Sequence, residues 1–503
     1  MLRNRFSLRG LGGRPARKVP LSACTVRGSR LPYRLATGLA FALLTIIALG
    51  VLREQDLLDD AYITAHYAQN IAQGYGWVWN PDAAPTDGTT APLWTVILAA
   101  VSVLHLPFVS TVLLLNALCY AGLGVAGCRL AQNLAGPLGA VMCLICMSVL
   151  SVLLPDCVGI ETPLYGFVLL ATFLAWHQGR TRQAFLTASL LPLVRGEGLL
   201  LPGVLILAMI LERRTRELWP AAVLSLLPFV GWELFSLWQF HALVPNSFLA
   251  KHAQTAAVSG KLDVKSFLTL VWPRVSAFWL FVAAAAGAVA ARRFTTVRAM
   301  ALWLVLYVIF YGRLASVPEQ LWYVLPAWWL GGVLISSGIG VTLTRTVGMP
   351  VRRLVFGALC AGSTLLGLLP APTPLEAALT PQPPHSLSDP HRAAAAYLAT
   401  QPRGLVAAGA IGKVGFYSHD PVVDILGLVS PEVVPHLPGR DYAWIIVKDR
   451  PRYVFIWTMP QHGPCGYEVT CRVWQTPWFR RHYHIIWGWP SRSDNRYAIL
   501  AYT

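Results

Sequence analysis

The chain has 503 residues, of which 55% are hydrophobic and only 13% are charged. Its mean hydropathy of +0.53 excludes an ordinary soluble enzyme and indicates an integral membrane protein. The formal net charge is +17, from 40 Lys and Arg against 23 Asp and Glu. Because these basic residues lie between hydrophobic segments, we interpret them as signals of membrane topology. No nucleic-acid partner is expected.

The first 34 residues carry nine basic residues and no acidic one, and they show no periodic apolar pattern. This composition predicts a disordered cytoplasmic arm over residues 1–34. The apolar segment 35–52 follows without a small-residue cleavage pattern, so we interpret it as a signal anchor. The amino terminus is then cytoplasmic, and the chain emerges on the periplasmic side of a bacterial inner membrane.

The segment 53–94 concentrates acidic residues between two apolar segments. It contains one basic residue, Arg53, and six acidic ones: Glu54, Asp56, Asp59, Asp60, Asp82 and Asp87. The adjacent pair Asp59 and Asp60 would be costly inside hydrocarbon, so it should lie at the water interface or in a wet cavity. Such a pair suits a general base or a ligand of Mg²⁺ or Ca²⁺, and a divalent cation therefore stays an open question. The alternative is an acidic loop that only caps the preceding helix.

The region 35–370 predicts about eleven to thirteen transmembrane helices. Further apolar segments span 92–106, 108–128, 137–154, 163–176, 219–240, 267–290, 299–311, 322–343 and 354–369. Basic clusters after residues 176 and 212 are expected in the cytoplasm, so the chain between them enters the membrane and returns, with Arg195 and Glu197 at the turn. Membrane crossings counted forward from the amino terminus and backward from the basic clusters give opposite orientations for residues 92–154. They are reconciled if one segment between Pro92 and Cys128 is broken or re-entrant.

A Pro-rich linker over 371–388 leads to residues 389–503, which have the composition of a small α/β domain. DPHRAAAAYLAT predicts a capped helix, and GLVAAG, GKVGFYS, AWIIVK, RYVFIW and RYAILAYT predict strands. The counted topology places this domain in the periplasm. Cys465 and Cys471 would be able to form a disulfide in that compartment.

The order of several motifs is more specific than any one of them. DDAYITAHYAQNIAQGYGWVWNP, followed by DGTTAPLW, resembles the first outer loop of polytopic glycosyltransferases that use polyprenyl-phosphate sugars and have the C-type glycosyltransferase fold. The likeness is closest to proteins related to the terminal arabinofuranosyltransferases of actinobacteria. His66 stands where an arginine usually follows the DDAYIT block in that family.

Four further elements resemble motifs of the same family: PNSFLAK, VRGEG, GIETPL and the segment before WYVLPA. The resemblance implies that the donor phosphate is bound by Lys251, Asn246, Arg195 and Arg313. It implies supporting roles for Glu161, Glu197, His66 and His252. Simpler interpretations stay open: Lys251 as an interfacial lysine, Arg195 and Glu197 as a structural ion pair, and Glu161 as a helix cap.

The resemblance implies an inverting transfer of a sugar from a polyprenyl-phosphate donor, with Asp59 or Asp60 as the general base. The sugar would be arabinofuranose, and the acceptor an envelope glycan, a lipid or a protein at the periplasmic face. The alternative from another class is a polytopic transporter or flippase of a glycan or other solute. Transporters commonly contain repeated halves, and the acidic segment has no counterpart in the second half of this sequence.

Overall fold

The structure is a computed structural model. It describes residues 30–53, 55–257, 263, 265, 295–315, 317–318, 320–346, 389–458, 468–489 and 496–503. The predicted arm up to residue 29, the apolar segments 267–290 and 354–369, the linker 371–388 and Cys465 lie outside the described residues.

Up to residue 346, the regular elements of the described residues are helices. They are α1 (Arg30–Leu52), α2 (Asp59–Ala72), α3 (Pro92–Val103), α4 (Phe108–Leu150), α5 (Thr162–His177), α6 (Thr181–Ala188), α7 (Leu191–Val194), α8 (Leu200–Leu211), α9 (Thr215–Phe240), α10 (Asn246–Ala257), α11 (Thr295–Ile309) and α12 (Leu325–Thr346). Within the described residues, five stretches are long and apolar enough to cross a membrane: Leu35–Leu52, Phe108–Cys157, Arg216–Phe240, Thr295–Leu314 and Leu325–Thr344.

α4 is a hairpin of two antiparallel helices. Gly136 has φ 79° and ψ −169° inside it, a left-handed conformation that glycine adopts without steric cost, and Pro137 follows. The two halves then face each other, since Tyr120 donates a hydrogen bond to the carbonyl of Met147. Asn116, nearer the start of α4, donates to the carbonyl of Ile160 at 3.1 Å. The single apolar stretch therefore consists of two helices that run in opposite directions.

α3 begins and ends on the same side of the bundle. At its start the Trp94 indole donates to the carbonyl of Gly159 at 3.0 Å. Just after its end, the Phe108 ring lies 5.3 Å from the ring of Phe416, in the sheet domain. Gly159 lies on that side too, because Leu58 at the start of α2 donates to the neighbouring Val158 carbonyl. The segment 92–106 is apolar, yet both of its ends lie on this side of the bundle.

Within its described residues, the sheet domain (residues 389–503) has five strands: β1 (Val406–Ala408), β2 (Val422–Asp424), β3 (Tyr453–Thr458), β4 (Tyr483–Trp489) and β5 (Arg496–Tyr502). Their order in the sheet is β2-β1-β3-β5-β4. β1 runs parallel to β2 and β3, whereas β5 runs antiparallel to β3 and β4. Its helices are α13 (Pro390–Ala399), α14 (Gly412–Ser418), α15 (Trp444–Asp449), α16 (Glu468–Gln475) and α17 (Pro477–His482).

Two of the five predicted strands are wrong. GKVGFYS forms α14 and AWIIVK lies largely in α15, while β2 and β4 were not predicted. Short segments that are apolar at nearly every position fit a buried helix turn as well as a buried strand, so periodicity does not separate them. The capped helix is correct, because the Asp389 side chain accepts a hydrogen bond from the His391 amide.

α2 belongs to both parts of the molecule. Ala61, Tyr62 and Ala65 are buried in the core of the helical bundle. Ile63 and Tyr67, on another face, are buried in the core of the sheet domain. An amphipathic helix normally buries one stripe, so burial of two faces fixes α2 between the bundle and the sheet domain. This arrangement positions the acidic pair at the first turn of α2.

Candidate active site

Asp59 binds the sheet domain. Its carboxylate accepts hydrogen bonds from the backbone amides of Gly412 at 3.0 Å and Lys413 at 2.9 Å, at the start of α14. A side chain at residue 412 would collide with the Asp59 carbonyl, so the close approach requires glycine. Burial raises the pKa of the Asp59 carboxyl, while His391 and these two amides act in the opposite direction. Both carboxylate oxygens of Asp59 are thus occupied in holding α14.

Asp60 faces the helical bundle instead, because successive residues of a helix are about 100° apart around its axis. Its Oδ2 lies 3.2 Å from Nζ of Lys251, on α10. Lys251 also donates to the Tyr323 hydroxyl at 3.3 Å. Burial alone would lower the pKa of Lys251, but Tyr323 and Asp60 together raise it, so the amine is charged. The pair joins a carboxylate of the acidic segment to a cation some 190 residues away along the chain.

Arg195 occupies the centre of a second charged cluster. Its Nε lies 2.8 Å from Glu197, and its Nη1 lies 3.6 Å from Glu161. It donates to the hydroxyl of Tyr311 at 3.1 Å, and its guanidinium carbon lies 5.0 Å from the centre of the Tyr323 ring. Tyr323 therefore lies between the Asp60–Lys251 pair and this cluster. Such charges inside a helical bundle are expected to pair, as they do here.

Two cavities meet at these residues. The first, which we call the polar pocket, has a volume of about 60 Å³ and is lined by Asp60, Glu161 and Leu428 among others. The second, which we call the apolar chamber, has a volume of about 240 Å³ and is lined mainly by apolar side chains of α9, α10 and the segment between them. Thr89, Thr90, Arg195, Lys251 and Tyr323 line both cavities. The two cations thus lie at the boundary between a polar and an apolar space.

Four predicted site residues lie elsewhere. Asn246 uses its amide to donate to the carbonyls of Gly427 and Leu428, at 2.7 and 2.9 Å, so it holds the sheet domain and not an anion. His66 is buried beside Trp79 and bonded to its carbonyl at 2.9 Å. Burial lowers the pKa of His66 to about 4, which makes it a neutral core residue. Arg313 and His252 are exposed and line neither cavity.

An ion-pair network that holds the sheet domain was not predicted. Asp56 lies 3.0 Å from both Arg392 and Lys413, and Lys413 also contacts Asp389. Asp56 belongs to the acidic segment, so its charge was visible in the sequence, but its partners lie more than 300 residues further on. Only the fold brings them together.

Asp59 and Asp60 do not converge on a common point, since one faces α14 and the other faces Lys251. Across the residues that the structure describes, no group of three or more His, Cys, Asp and Glu is arranged to hold a metal ion. The arrangement instead offers the Asp60 carboxylate, the cations Lys251 and Arg195 and an apolar space, which together suit acid–base chemistry on an amphiphilic anion.

Comparisons with known proteins concern the fold. A family model described as Domain of unknown function (DUF8728) matches residues 386–500. No curated protein sequence matches the chain. ArnT from Cupriavidus metallidurans in the apo state is similar with a TM-score of 0.58 at 14% identity, over 94% of this chain and 98% of that one. Archaeal oligosaccharyltransferase AglB from Archaeoglobus fulgidus is similar with a TM-score of 0.54 at 12% identity, over 94% of this chain and 74% of that one.

The chain has the C-type glycosyltransferase fold. This result confirms the predicted architecture, a polytopic helical membrane protein with a small C-terminal α/β domain. In this chain, the acidic pair at the start of α2 lies where the helical bundle meets the sheet domain. At this level of identity the likeness establishes the fold and leaves the reaction to be argued from the site.

Proposed function

We propose that this protein is an inverting glycosyltransferase that moves a sugar from a polyprenyl-phosphate donor to an acceptor hydroxyl. The observation that carries the proposal is the Asp60–Lys251 pair, 3.2 Å apart, at the boundary between the polar pocket and the apolar chamber. A lipid-linked phosphosugar carries a charged phosphate between two bulkier groups, and this boundary offers two cations for the phosphate with space on either side.

Asp60 is the proposed general base. It takes the proton from the acceptor hydroxyl as that oxygen forms a bond to the anomeric carbon of the sugar. The bond between the anomeric carbon and the phosphate oxygen breaks at the same time, and polyprenyl phosphate leaves with the electron pair. Attack opposite to the leaving group inverts the anomeric configuration.

Lys251 and Arg195 are the proposed partners of the leaving phosphate. Charge develops on the phosphate oxygen as the bond breaks, and fixed cations stabilise that charge most where water is excluded. Lys251 is bonded to Asp60 here, so a bound phosphate would compete for the amine. That exchange would free an oxygen of Asp60 to accept the proton of the acceptor.

The ligands bound in similar structures support a lipid-phosphate donor. ArnT from Cupriavidus metallidurans is described bound to undecaprenyl phosphate, with a TM-score of 0.56 at 15% identity over 93% of this chain and 98% of that one. AglB is described in complex with an inhibitory peptide and a dolichol-phosphate. For the present chain the sugar proposed is arabinofuranose, on the resemblance of the DDAYIT motif, and the acceptor is an envelope glycan, lipid or protein.

We propose the inner membrane as the location, with a cytoplasmic amino terminus and the sheet domain in the periplasm. Cys471 is disulfide-bonded in the structure, which supports an oxidising compartment for the sheet domain.

The test supplies purified protein with radiolabelled polyprenyl-phosphate sugars and an acceptor fraction. Asp60→Asn should abolish transfer while leaving the melting temperature close to that of the unaltered protein. Asp82→Asn is the matched control, because Asp82 is an exposed carboxylate of the same segment. Undiminished transfer by Asp60→Asn would overturn the assignment of the base. Translocation of a labelled glycan into vesicles without any transfer would favour the transporter or flippase instead.

A further inference from the structure

Glu233 is an acidic residue in the middle of an apolar helix. It lies on α9, within the stretch Arg216–Phe240 that is long and apolar enough to cross a membrane. It is partly buried and lines the apolar chamber. A carboxylate at such a position is costly, and residues of this kind commonly contact a substrate.

The other charged residues of the chamber already have partners. Arg195 is paired with Glu197, and Lys251 is paired with Asp60. Glu197 also accepts a hydrogen bond from Tyr311. Within the part of the chain that the structure describes, Glu233 has neither an ion pair nor a hydrogen bond. Its carboxylate is therefore available to a ligand in the chamber.

The walls near Glu233 are aromatic. Phe229 precedes it by one helical turn and so lies on the same face of α9, and Trp232 also lines the chamber. Trp232 is held in place by Trp77 of the acidic segment, with ring centres 5.0 Å apart. An aromatic wall beside a hydrogen-bond acceptor suits a ring that has apolar faces and polar edges.

We propose that Glu233 is a specificity-determining residue that accepts hydrogen bonds from the donor's sugar, and that the apolar chamber holds the sugar. This inference rests on the proposed function, in which the phosphate lies at Lys251 and Arg195. Two groups are attached to that phosphate, the isoprenoid chain and the sugar. An isoprenoid chain carries no hydrogen-bond donor, so only the hydroxyl or amino groups of the sugar are able to satisfy Glu233.

The test compares the dissociation constants of two probes, polyprenyl phosphate and polyprenyl-phosphate arabinofuranose, for purified full-length variants. The dissociation constant of polyprenyl phosphate divided by that of polyprenyl-phosphate arabinofuranose measures how much the sugar strengthens binding. Glu233→Ala should lower this ratio about tenfold, the usual effect of losing a hydrogen bond to a charged group, and should leave the affinity for polyprenyl phosphate unchanged. In the transfer assay the KM for the donor should rise while the KM for the acceptor stays the same.

Glu233→Gln keeps the size of the side chain and one acceptor oxygen, so it should give an intermediate ratio. Glu217→Gln is the control, since Glu217 lies on the same helix but pairs with Arg214 outside the chamber. An equal ratio in the unaltered protein and in both Glu233 variants would overturn the inference, as would a ratio of one in the unaltered protein. A sugar-dependent ratio that requires Glu233, without any transfer activity, would instead support this site and overturn the proposed reaction.

Discussion

The carboxylates of Asp59 and Asp60 are adjacent in the chain and bind different parts of the molecule. Asp59 accepts hydrogen bonds from the first amides of α14, and Asp60 pairs with Lys251 on α10 at 3.2 Å. One residue of the pair therefore holds the sheet domain and the other enters the proposed site. Substitutions at the two positions should have separable effects.

Replacing Asp59 should affect stability more than chemistry. Asp59→Ala removes both hydrogen bonds to the start of α14, and the loss of a helix cap typically costs about 1 to 2 kcal/mol. We expect a lower melting temperature, measured by thermal unfolding in detergent, with residual transfer activity in the folded fraction. A complete loss of transfer at an unchanged melting temperature would contradict this division of roles.

Replacing Lys251 should weaken binding of the donor more than binding of the acceptor. Lys251→Ala removes a charged contact to the phosphate, which predicts an increase in the donor KM of about tenfold or more. The measurement is transfer kinetics with each substrate varied in turn. His252→Ala is the neighbouring control, because His252 is exposed and lines neither cavity. Equal changes in both KM values would remove Lys251 from the phosphate site.

The ion pairs of Lys413 should hold the sheet domain against the acidic segment. Lys413 is largely buried between Asp56 and Asp389, so Lys413→Ala leaves two carboxylates without their shared cation. Breaking a buried ion pair in this way lowers the free energy of unfolding by about 3 kcal/mol or more. Limited proteolysis and hydrogen exchange should report earlier opening of the sheet domain. Lys448→Ala, which removes an exposed lysine that pairs with its neighbour Asp449 and lies 5.0 Å from the centre of the Trp444 ring, should have a much smaller effect on both measurements.

Stability should fall as the pH rises through the neutral range, and Asp87 should account for part of that fall. Burial raises the pKa of Asp87 from the ordinary value of 3.8 to about 7. Between those two values the folded protein binds a proton that the unfolded chain has released, so stability is lost with increasing pH, by at most about 1.4 kcal/mol per pH unit. Melting temperatures measured from pH 4 to 8 should decline less steeply in Asp87→Asn. Identical slopes for the two proteins would show that Asp87 does not titrate in this range.

The proposed topology predicts where a reporter is active. A phosphatase fused after Thr503 should be active in the periplasm of intact cells. A reporter that requires the cytoplasm should be inactive at the same position. The reverse result would place the sheet domain, with its disulfide at Cys471, in a reducing compartment.

The sequence was a good guide to the fold because long apolar stretches have few alternatives to a membrane helix. It was a poorer guide where a short segment depends on distant contacts. GKVGFYS forms a helix whose first amides bind Asp59, and nothing near it in the sequence indicates that cap. The motif PNSFLAK contains Lys251, which lies beside Asp60, but the sequence did not indicate the direction of each side chain, and Asn246 turns to the sheet domain. Glu233 was overlooked because one acid in an apolar stretch forms no motif.

The contribution of Leu428 to the polar pocket bears on how the protein is made. Asp60 is synthesised early and Leu428 late, yet both line the same cavity. A ribosome must pass residue 428, and β1 and β2 must pair, before this wall of the pocket exists. A nascent chain already inserted in the bilayer therefore has its carboxylate and lysine but lacks the enclosed pocket. Catalytic competence should arise only after the sheet domain has been translated and folded.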